Sequence, residues 1–185
     1  MNYTSTIPDN ELARINTICV LCWGLIGDVL IRVSLLEALK ERFPAAKLTV
    51  VVDPSSFPAL ENHPDIDEIV SFSRKKRPLL KYIYTIYNRV SYLRGKKFDL
   101  SINLYSGGSS PRITRLINAR NRLGFNHTKA LKKANNWQVE HPDLCSNWTQ
   151  AFGKMLVPLG IQQVRRGTSF YCSKEELQFA GNWLS

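Results

Sequence analysis

The chain has 185 residues, of which 44% are hydrophobic and 22% charged. A chain of this size forms one domain and buries roughly 70% of its unfolded surface, which excludes disordered and fibrous proteins. Lys and Arg outnumber Asp and Glu by 25 to 15, giving a net charge of +10, so an anionic partner is expected. No run reaches the roughly 18–20 apolar residues of a membrane span, and the polar N-terminus is unlike a secretory signal, so we expect a cytoplasmic protein.

Four cysteines form no disulfide framework in a chain of this length. Cys19 and Cys22 have the spacing of half a zinc site, but positions three apart in a strand point to opposite faces. No second pair follows at zinc-finger spacing. We therefore expect buried structural thiols and no metal.

The first predicted elements are a strand and a helix. Residues 18–23 form a continuous apolar run too short for a free helix, which is typical of a strand buried on both faces of a parallel sheet. The turn at 24–28 follows directly. From Val29, apolar residues recur at helical spacing until Pro44 ends the helix, and Arg32 is predicted to face solvent on its polar side.

Further strands are predicted at residues 48–52, 68–72, 98–105 and 122–125. A second long helix is predicted to bury the apolar stripe Leu79, Ile83, Ile86, Val90 and Leu93. Ser110 as N-cap and Pro111 begin a third helix. Residues 126–147 are predicted to be irregular, and 148–159 form another helix. This alternation predicts a parallel α/β sheet with helices on both faces and right-handed crossovers.

The last segment opens with a capping box, Ser173 and Glu176, followed by an apolar helical pattern that reaches the last residues. We expect this helix either to pack back on the domain or to lead into a longer protein.

Two loops at the carboxyl edge of the sheet have unusual composition, and ligands of such sheets bind at that edge. One is Gly24 to Asp28, after the first strand, and the other is Ser106 to Ser110, after the fourth. The dinucleotide fingerprint and the phosphate loop are both absent, which disfavours a nucleotide site. Asp28 has two interpretations: a carboxylate that caps the following helix, or a general base that accepts a proton from a sugar hydroxyl.

Six blocks of sequence, taken in order, resemble glycosyltransferase family 9, which includes the ADP-heptose:lipopolysaccharide heptosyltransferases. The blocks are residues 23–30, 36–44, 48–54, 62–70, 97–104 and 121–126. The resemblance implies a two-domain glycosyltransferase of GT-B type with Rossmann-like domains. Residues 1–172 would be the N-terminal acceptor-binding domain, and 173–185 the start of a linker helix toward a C-terminal domain that binds the ADP-sugar donor. A chain without that second domain is expected to be inactive alone.

The resemblance also implies roles for particular residues. Asp28 matches the carboxylate taken as the base for inverting transfer, and Gly24 and Gly27 shape its turn. The acceptor-binding residues expected by the same match are Asn103, Ser106, Gly107, Ser109, Ser110, Arg74, Lys75, Lys76 and Arg77. Asn103 departs from the Asp that the family often has there, and Trp-Gly-Leu-Ile-Gly-Asp departs from the Ser-Ser-x-Gly-Asp of typical heptosyltransferases. No cofactor beyond the ADP-sugar is implied.

The partners expected on this basis are a lipopolysaccharide inner-core or related anionic glycan and the anionic inner face of the plasma membrane, to which clustered Lys and Arg attach peripherally. Two other functions stay open. A basic nucleic-acid-binding module fits the net charge, although the chain lacks the motifs of such modules. A non-catalytic remnant domain, in which Asp28 only caps its helix, fits equally well.

Overall fold

The computed structural model describes residues 6–73, 78–105, 107–141, 148–165 and 167–184. Six parallel strands form one sheet: β1 (Thr17–Leu21), β2 (Lys47–Val52), β3 (Glu68–Ser71), β4 (Leu100–Asn103), β5 (Asn121–Phe125) and β6 (Trp137–Val139). Their spatial order is β3-β2-β1-β4-β5-β6. The predicted parallel α/β sheet is confirmed, and its order is that of Rossmann-like folds.

The path of the chain along the sheet reverses between β1 and β4. From β1 it moves outward through β2 and β3, and from β4 it moves outward on the other side through β5 and β6. Val20 of β1 lies beside Ile102 of β4, so the two strands end next to each other. Loops that leave such neighbouring strands in opposite directions open a crevice at the carboxyl edge, where ligands of open α/β sheets bind.

The helices of the described part are α1 (Asp9–Leu12), α2 (Ile26–Ile31), α3 (Val33–Arg42), α4 (Leu79–Gly95), α5 (Ser110–Ile117), α6 (Lys129–Ala134), α7 (Trp148–Gly153) and α8 (Lys174–Leu184), with 3₁₀ helices at Pro54–Ala59 and Lys154–Leu159. Alternate side chains of β1 enter two separate cores, because successive residues of a strand face opposite sides. One core contains α3 and the other contains residues of α4 and α5. Helices on both faces are therefore confirmed.

Cys19 and Cys22 belong to these two different cores, as their spacing predicts. Both thiols are free and buried. Burial raises the pKa of each thiol, so both stay protonated and unreactive.

Two predictions from the sequence fail on short elements. The single helix predicted from Val29 to Pro44 is two helices, α2 and α3, which meet at Arg32. The break turns Arg32 inward, and this residue, predicted to face solvent, is only 6% exposed. The segment predicted to be irregular contains α6 and β6, because edge strands of three residues carry too little apolar pattern to be recognised.

The first half of α4 lacks the burial that its pattern predicts. Val90 and Leu93 are buried, whereas Leu79 is 60% and Ile83 53% exposed. The 17 residues of α4 span about 25 Å, but the four residues of β4 span only about 13 Å. The first turns of α4 therefore extend beyond the sheet on which they would pack.

The capping box that opens α8 is confirmed. The Glu176 N–H donates to Ser173 Oγ over 3.1 Å, and the Ser173 N–H donates to Glu176 Oε2 over 2.6 Å. No described residue of α8 is buried, so its apolar side chains do not pack back on the domain.

Within the described ranges, the helices are all too short or too polar to cross a bilayer.

Candidate functional site

Asp28 lies in the first turn of α2, directly after the end of β1. Leu25 is the extended residue that begins the helix, and its N–H donates to Asp28 Oδ2 over 3.1 Å. The Asp28 side chain is exposed, and its Oδ1 has no hydrogen-bond partner in the part of the chain that the structure describes. Capping therefore uses one carboxylate oxygen and leaves the other open to a ligand.

Gly24 brings the Asp28 side chain against the backbone of the turn. A Cβ at Gly24 would lie 2.7 Å from Asp28 Cβ, and the φ of Gly24 is +154°, which L side chains rarely adopt. The Gly24 carbonyl is also held by Ser56 Oγ, which donates to it over 2.8 Å. Gly27 has no such constraint, because nothing lies within 4 Å of a Cβ built there. Of the two glycines expected to shape the turn, Gly24 alone meets a close contact.

The loop after β4 rests on two buried polar side chains. Asn103 Nδ2 donates to Ser110 Oγ over 3.2 Å, and Ser110 Oγ donates to the Tyr105 carbonyl over 2.6 Å. Asn103 is 1% exposed and Ser110 is fully buried. The structure thus places these two residues, both expected to bind the acceptor, beneath the loop, where they hold its shape and are not on its exposed surface. Ser110 is also the first residue of α5, and Ser109 is the N-cap.

Gly107 and Ser109 are half-buried at the surface of this loop. A Cβ at Gly107 would lie 3.1 Å from the Tyr105 ring, so the missing side chain lets that ring fold over the loop. Ser106 and the basic residues 74–77, also expected to bind the acceptor, lie outside the described residues.

A cleft of about 340 Å³ opens between the two loops, at the reversal point of the sheet. It is lined by Asp28, Ile31, Arg32, Leu104, Tyr105, His141, Trp148 and Phe152. The β1 side supplies a carboxylate and a guanidinium, the β4 side a phenol ring, and α7 two aromatic rings. Aromatic walls with a few convergent polar groups are typical of small-molecule sites.

Sequence reasoning missed most of this lining. The pattern of residues 148–159 predicts only a helix, whereas in the structure Trp148 is 41% exposed and its ring centroid lies 6.1 Å from that of Phe152. Their spacing of four residues is compatible with either a core or a cleft wall. No pattern in the sequence separates the two, because α7 reaches β1 and β4 only in the folded chain.

The outer wall of the cleft continues into a cluster of aromatic rings. The centroid of the His141 ring lies 4.4 Å from that of His127 and 4.8 Å from that of Phe125. Burial, and secondly the charge of His141, lower the pKa of His127. The lowered pKa favours the neutral form of His127.

Among the residues described, no group of three or more His, Cys, Asp or Glu side chains could hold a metal ion. The polar groups of the cleft are instead one carboxylate, one guanidinium and the rings around them, a set suited to accepting a proton and binding a polar ligand.

The chain is 25% identical over 145 residues to lipopolysaccharide heptosyltransferase 3 of Escherichia coli, which covers 77% of this chain and 43% of that protein. A second heptosyltransferase 3, from strain K12, is 26% identical over 52% of this chain and 28% of its own length. The chain thus spans less than half the length of the curated relatives it matches. No protein-family model matches the sequence.

Two solved structures share the fold. The glycosyl transferase family 9 structure from Veillonella parvula superposes with a TM-score of 0.80 at 20% identity, covering 91% of this chain and 48% of that one. The E. coli heptosyltransferase WaaC with ADP-2-deoxy-2-fluoro heptose gives 0.71 at 15% identity, covering 83% and 51%. Sequence similarity and fold together confirm that the chain resembles glycosyltransferase family 9 over about half the length of its solved relatives.

Proposed function

We propose that this chain forms the acceptor-binding, base-carrying part of an inverting glycosyltransferase, and that Asp28 is its general base. The observation that carries the proposal is the free Oδ1 of Asp28 at the mouth of an aromatic cleft, at the reversal point of the sheet. The similarity to lipopolysaccharide heptosyltransferases supports transfer of a sugar as the reaction class.

In the proposed reaction, Asp28 accepts the proton of an acceptor hydroxyl bound in the cleft. The hydroxyl oxygen forms a bond to the anomeric carbon of the donor sugar as the bond from that carbon to the phosphate oxygen breaks. ADP leaves with the bonding electron pair, and attack from the opposite face inverts the anomeric centre. Proton removal by a carboxylate needs only hydrogen-bond reach and an ionised oxygen.

We take the donor to be an ADP-sugar, with heptose favoured by the names of the relatives, and the acceptor to be a lipopolysaccharide inner-core or related anionic glycan. The curated relatives are more than twice as long as the part of them that aligns with this chain. We therefore assign the donor mainly to a second domain. Residues 1–185 alone are expected to give no transfer.

The exposed half of α4 supports a peripheral membrane attachment beside this site. Leu80, Tyr84 and Tyr87 are all more than two-thirds exposed, and α4 has no acidic residue. In the sequence, the basic residues 74–77 are separated from α4 only by Pro78. A helix with exposed apolar and aromatic side chains among basic ones is typical of binding to an anionic bilayer. Because α4 follows β3, its first turns lie at the same edge of the sheet as Asp28.

The competing function is a non-catalytic domain in which Asp28 only caps α2, and the bond from the Leu25 N–H favours it. The deciding experiment measures transfer from ADP-heptose to a lipopolysaccharide inner-core acceptor, with protein expressed from its complete gene. Asp28→Asn is expected to lower the rate about 100- to 10,000-fold, because a general base typically contributes that much.

Asp53→Asn is the matched control. Asp53 follows β2 at the same edge of the sheet but lies away from the reversal point and outside the cleft lining. The control should transfer at the wild-type rate, and Asp28→Asn should unfold at the wild-type temperature. Wild-type turnover in Asp28→Asn would refute the base, and loss of folding in that variant would favour the cap.

A further inference from the structure

Arg32 carries a charge on a buried side chain, and it is not among the residues that the sequence predicts for the site. It joins α2 to α3, one helical turn after Asp28, and its side chain lines the same cleft. Nη1 donates to the Trp23 carbonyl over 2.7 Å, and the guanidinium carbon lies 4.6 Å from the centroid of the Phe152 ring. These contacts hold the guanidinium in one place at the wall of the cleft.

The charge of Arg32 has no counter-ion in the part of the chain that the structure describes. None of the ion pairs there includes Arg32, so no described carboxylate lies within 4.0 Å of its guanidinium. Nε is buried and has no hydrogen-bond partner. Arginine has five N–H donors and keeps its charge at any pH at which the protein is folded.

A buried charge without a partner is costly, and proteins normally pair it or use it to bind an ion. The Trp23 carbonyl and the Phe152 ring are both neutral, so neither supplies the negative charge with which a buried guanidinium is normally paired. A guanidinium is well suited to the two-pronged binding of a phosphate or carboxylate, and low-polarity walls strengthen such a pair. Phe152 and Trp148 supply those walls here.

We propose that Arg32 binds an anionic group, a phosphate or a carboxylate, on the sugar ligand that occupies the Asp28 cleft. The proposal rests on the proposed function in one respect, namely that the ligand of this cleft is a sugar. Asp28 would accept the proton of an acceptor hydroxyl in this cleft, while Arg32, four residues further along the chain, pairs with an anionic group of either the acceptor or the donor sugar. Two sources share this chemistry: the diphosphate of a nucleotide-sugar and an acidic or phosphorylated acceptor sugar.

The test compares calorimetric binding of three probes to the full chain at low salt: ADP, glucuronate and neutral methyl glucoside. Arg32→Gln should weaken binding of at least one anionic probe about 10- to 100-fold, the range expected for hydrogen bonds to a charged partner. Binding of methyl glucoside should not change. Arg32→Lys should recover part of the lost affinity, because lysine restores the charge but not the paired N–H donors of the guanidinium. The probe that responds, ADP or glucuronate, identifies the source of the anion.

Arg42→Gln is the matched control. Arg42 also donates to a backbone carbonyl, that of Leu159, over 3.2 Å and also lies over a phenyl ring, that of Phe43, at 5.2 Å, but it lies outside the cleft lining. Its replacement should leave all three affinities unchanged. If Arg32→Gln fails to fold, the same three probes are measured with the wild-type protein instead. The anionic probes should then bind more tightly than methyl glucoside, and salt should weaken binding of the anionic probes only.

The proposal is overturned if neither anionic probe binds, or if Arg32→Gln weakens the neutral and anionic probes equally, since that pattern marks a structural role. Failure of the proposed function has a different signature. If Asp28→Asn keeps full transfer while Arg32→Gln still loses anion binding, the base is wrong and the anion site stands.

Discussion

Two aspartates at opposite edges of the sheet differ in how much of their hydrogen-bonding capacity the fold uses. Asp99 precedes β4 at the amino edge, and its Oδ2 accepts bonds of 3.0–3.1 Å from the Asn16 N–H, the Thr17 N–H and the Thr17 hydroxyl. Arg120 lies 3.7 Å from its other oxygen. Asp28 at the carboxyl edge accepts one described bond and borders a cleft.

Asp99 therefore uses its carboxylate to hold β1 and β4 together, whereas most of the hydrogen-bonding capacity of Asp28 is left for a ligand. At the amino edge, Asp99 satisfies backbone N–H groups that the start of β1 would otherwise leave unpaired. At the carboxyl edge, the turn at Gly24 presents Asp28 to solvent. Saturation of hydrogen bonds, rather than residue type or position in the sequence, distinguishes the two roles.

The largest effect should come from removing the saturated carboxylate. Asp99→Ala leaves two N–H groups and a hydroxyl without their acceptor, and we expect it to lower the free energy of unfolding by about 3 kcal/mol. Asp28→Ala removes a single capping bond and should cost less than about 1 kcal/mol. Urea unfolding of both variants checks this, and equal losses would erase the distinction between the two edges.

A smaller effect is expected at the turn that presents Asp28. Gly24→Ala forces a Cβ to within 2.7 Å of Asp28 Cβ at a φ of +154°, and should destabilise the protein by roughly 2 kcal/mol while displacing the carboxylate. Gly27→Ala is the control, because its site is open and lies within α2. It should be neutral or slightly stabilising by thermal unfolding. A tolerated Gly24→Ala would show that the turn does not depend on glycine.

Asp67 is another hydrogen-bonded carboxylate at the amino edge of the sheet. The stability that its hydrogen bonds contribute can be measured as a function of pH. The Leu48 N–H, which donates over 2.8 Å, and Lys40 lower the pKa of Asp67, partly opposed by burial. Its stabilisation is therefore present above the pKa of the unfolded chain and is lost as pH falls through the lower folded value. Asp67→Asn should lower stability by less than about 1 kcal/mol at pH 7, because the side chain is 42% exposed, and should match wild type near pH 2. A constant difference at both pH values would assign the effect to packing.

The smallest expected effect concerns the exposed half of α4, where no change in folding is predicted. Leu80→Ser combined with Tyr84→Ser should reduce binding to phosphatidylglycerol vesicles about fivefold, since these side chains would insert into the bilayer surface. Leu184→Ser on α8 should bind normally; it replaces a leucine that is 84% exposed, against 83% for Leu80. Vesicle flotation in low and high salt measures both. A stronger loss of vesicle binding in the α8 variant would indicate that α8, and not α4, contacts the membrane.

Long periodic segments were predictable because local spacing decides which side of the chain is apolar. The strand at β1 and the opposite faces of Cys19 and Cys22 follow from the period of two residues of a strand. The capping box at Ser173 follows from an equally local signal, a Ser and a Glu three residues apart. The candidate site was predictable in part, since Asp28 and Gly24 sit together in a turn that is local in sequence. Asn103 and Ser110 are polar residues of the kind found in ligand-binding loops, but in the folded chain both side chains are buried and hydrogen-bonded to each other.

The amino-acid sequence by itself determined the α/β class, the parallel sheet and the placement of an acidic residue after the first strand, because these depend on neighbours a few positions apart. The tertiary structure decided that Arg32 turns inward at a helix break and that α7 supplies Trp148 and Phe152 to the wall of the cleft. It also decided that the first turns of α4 stay uncovered. Each of these outcomes depends on distances between segments far apart in the chain, which a local pattern does not encode.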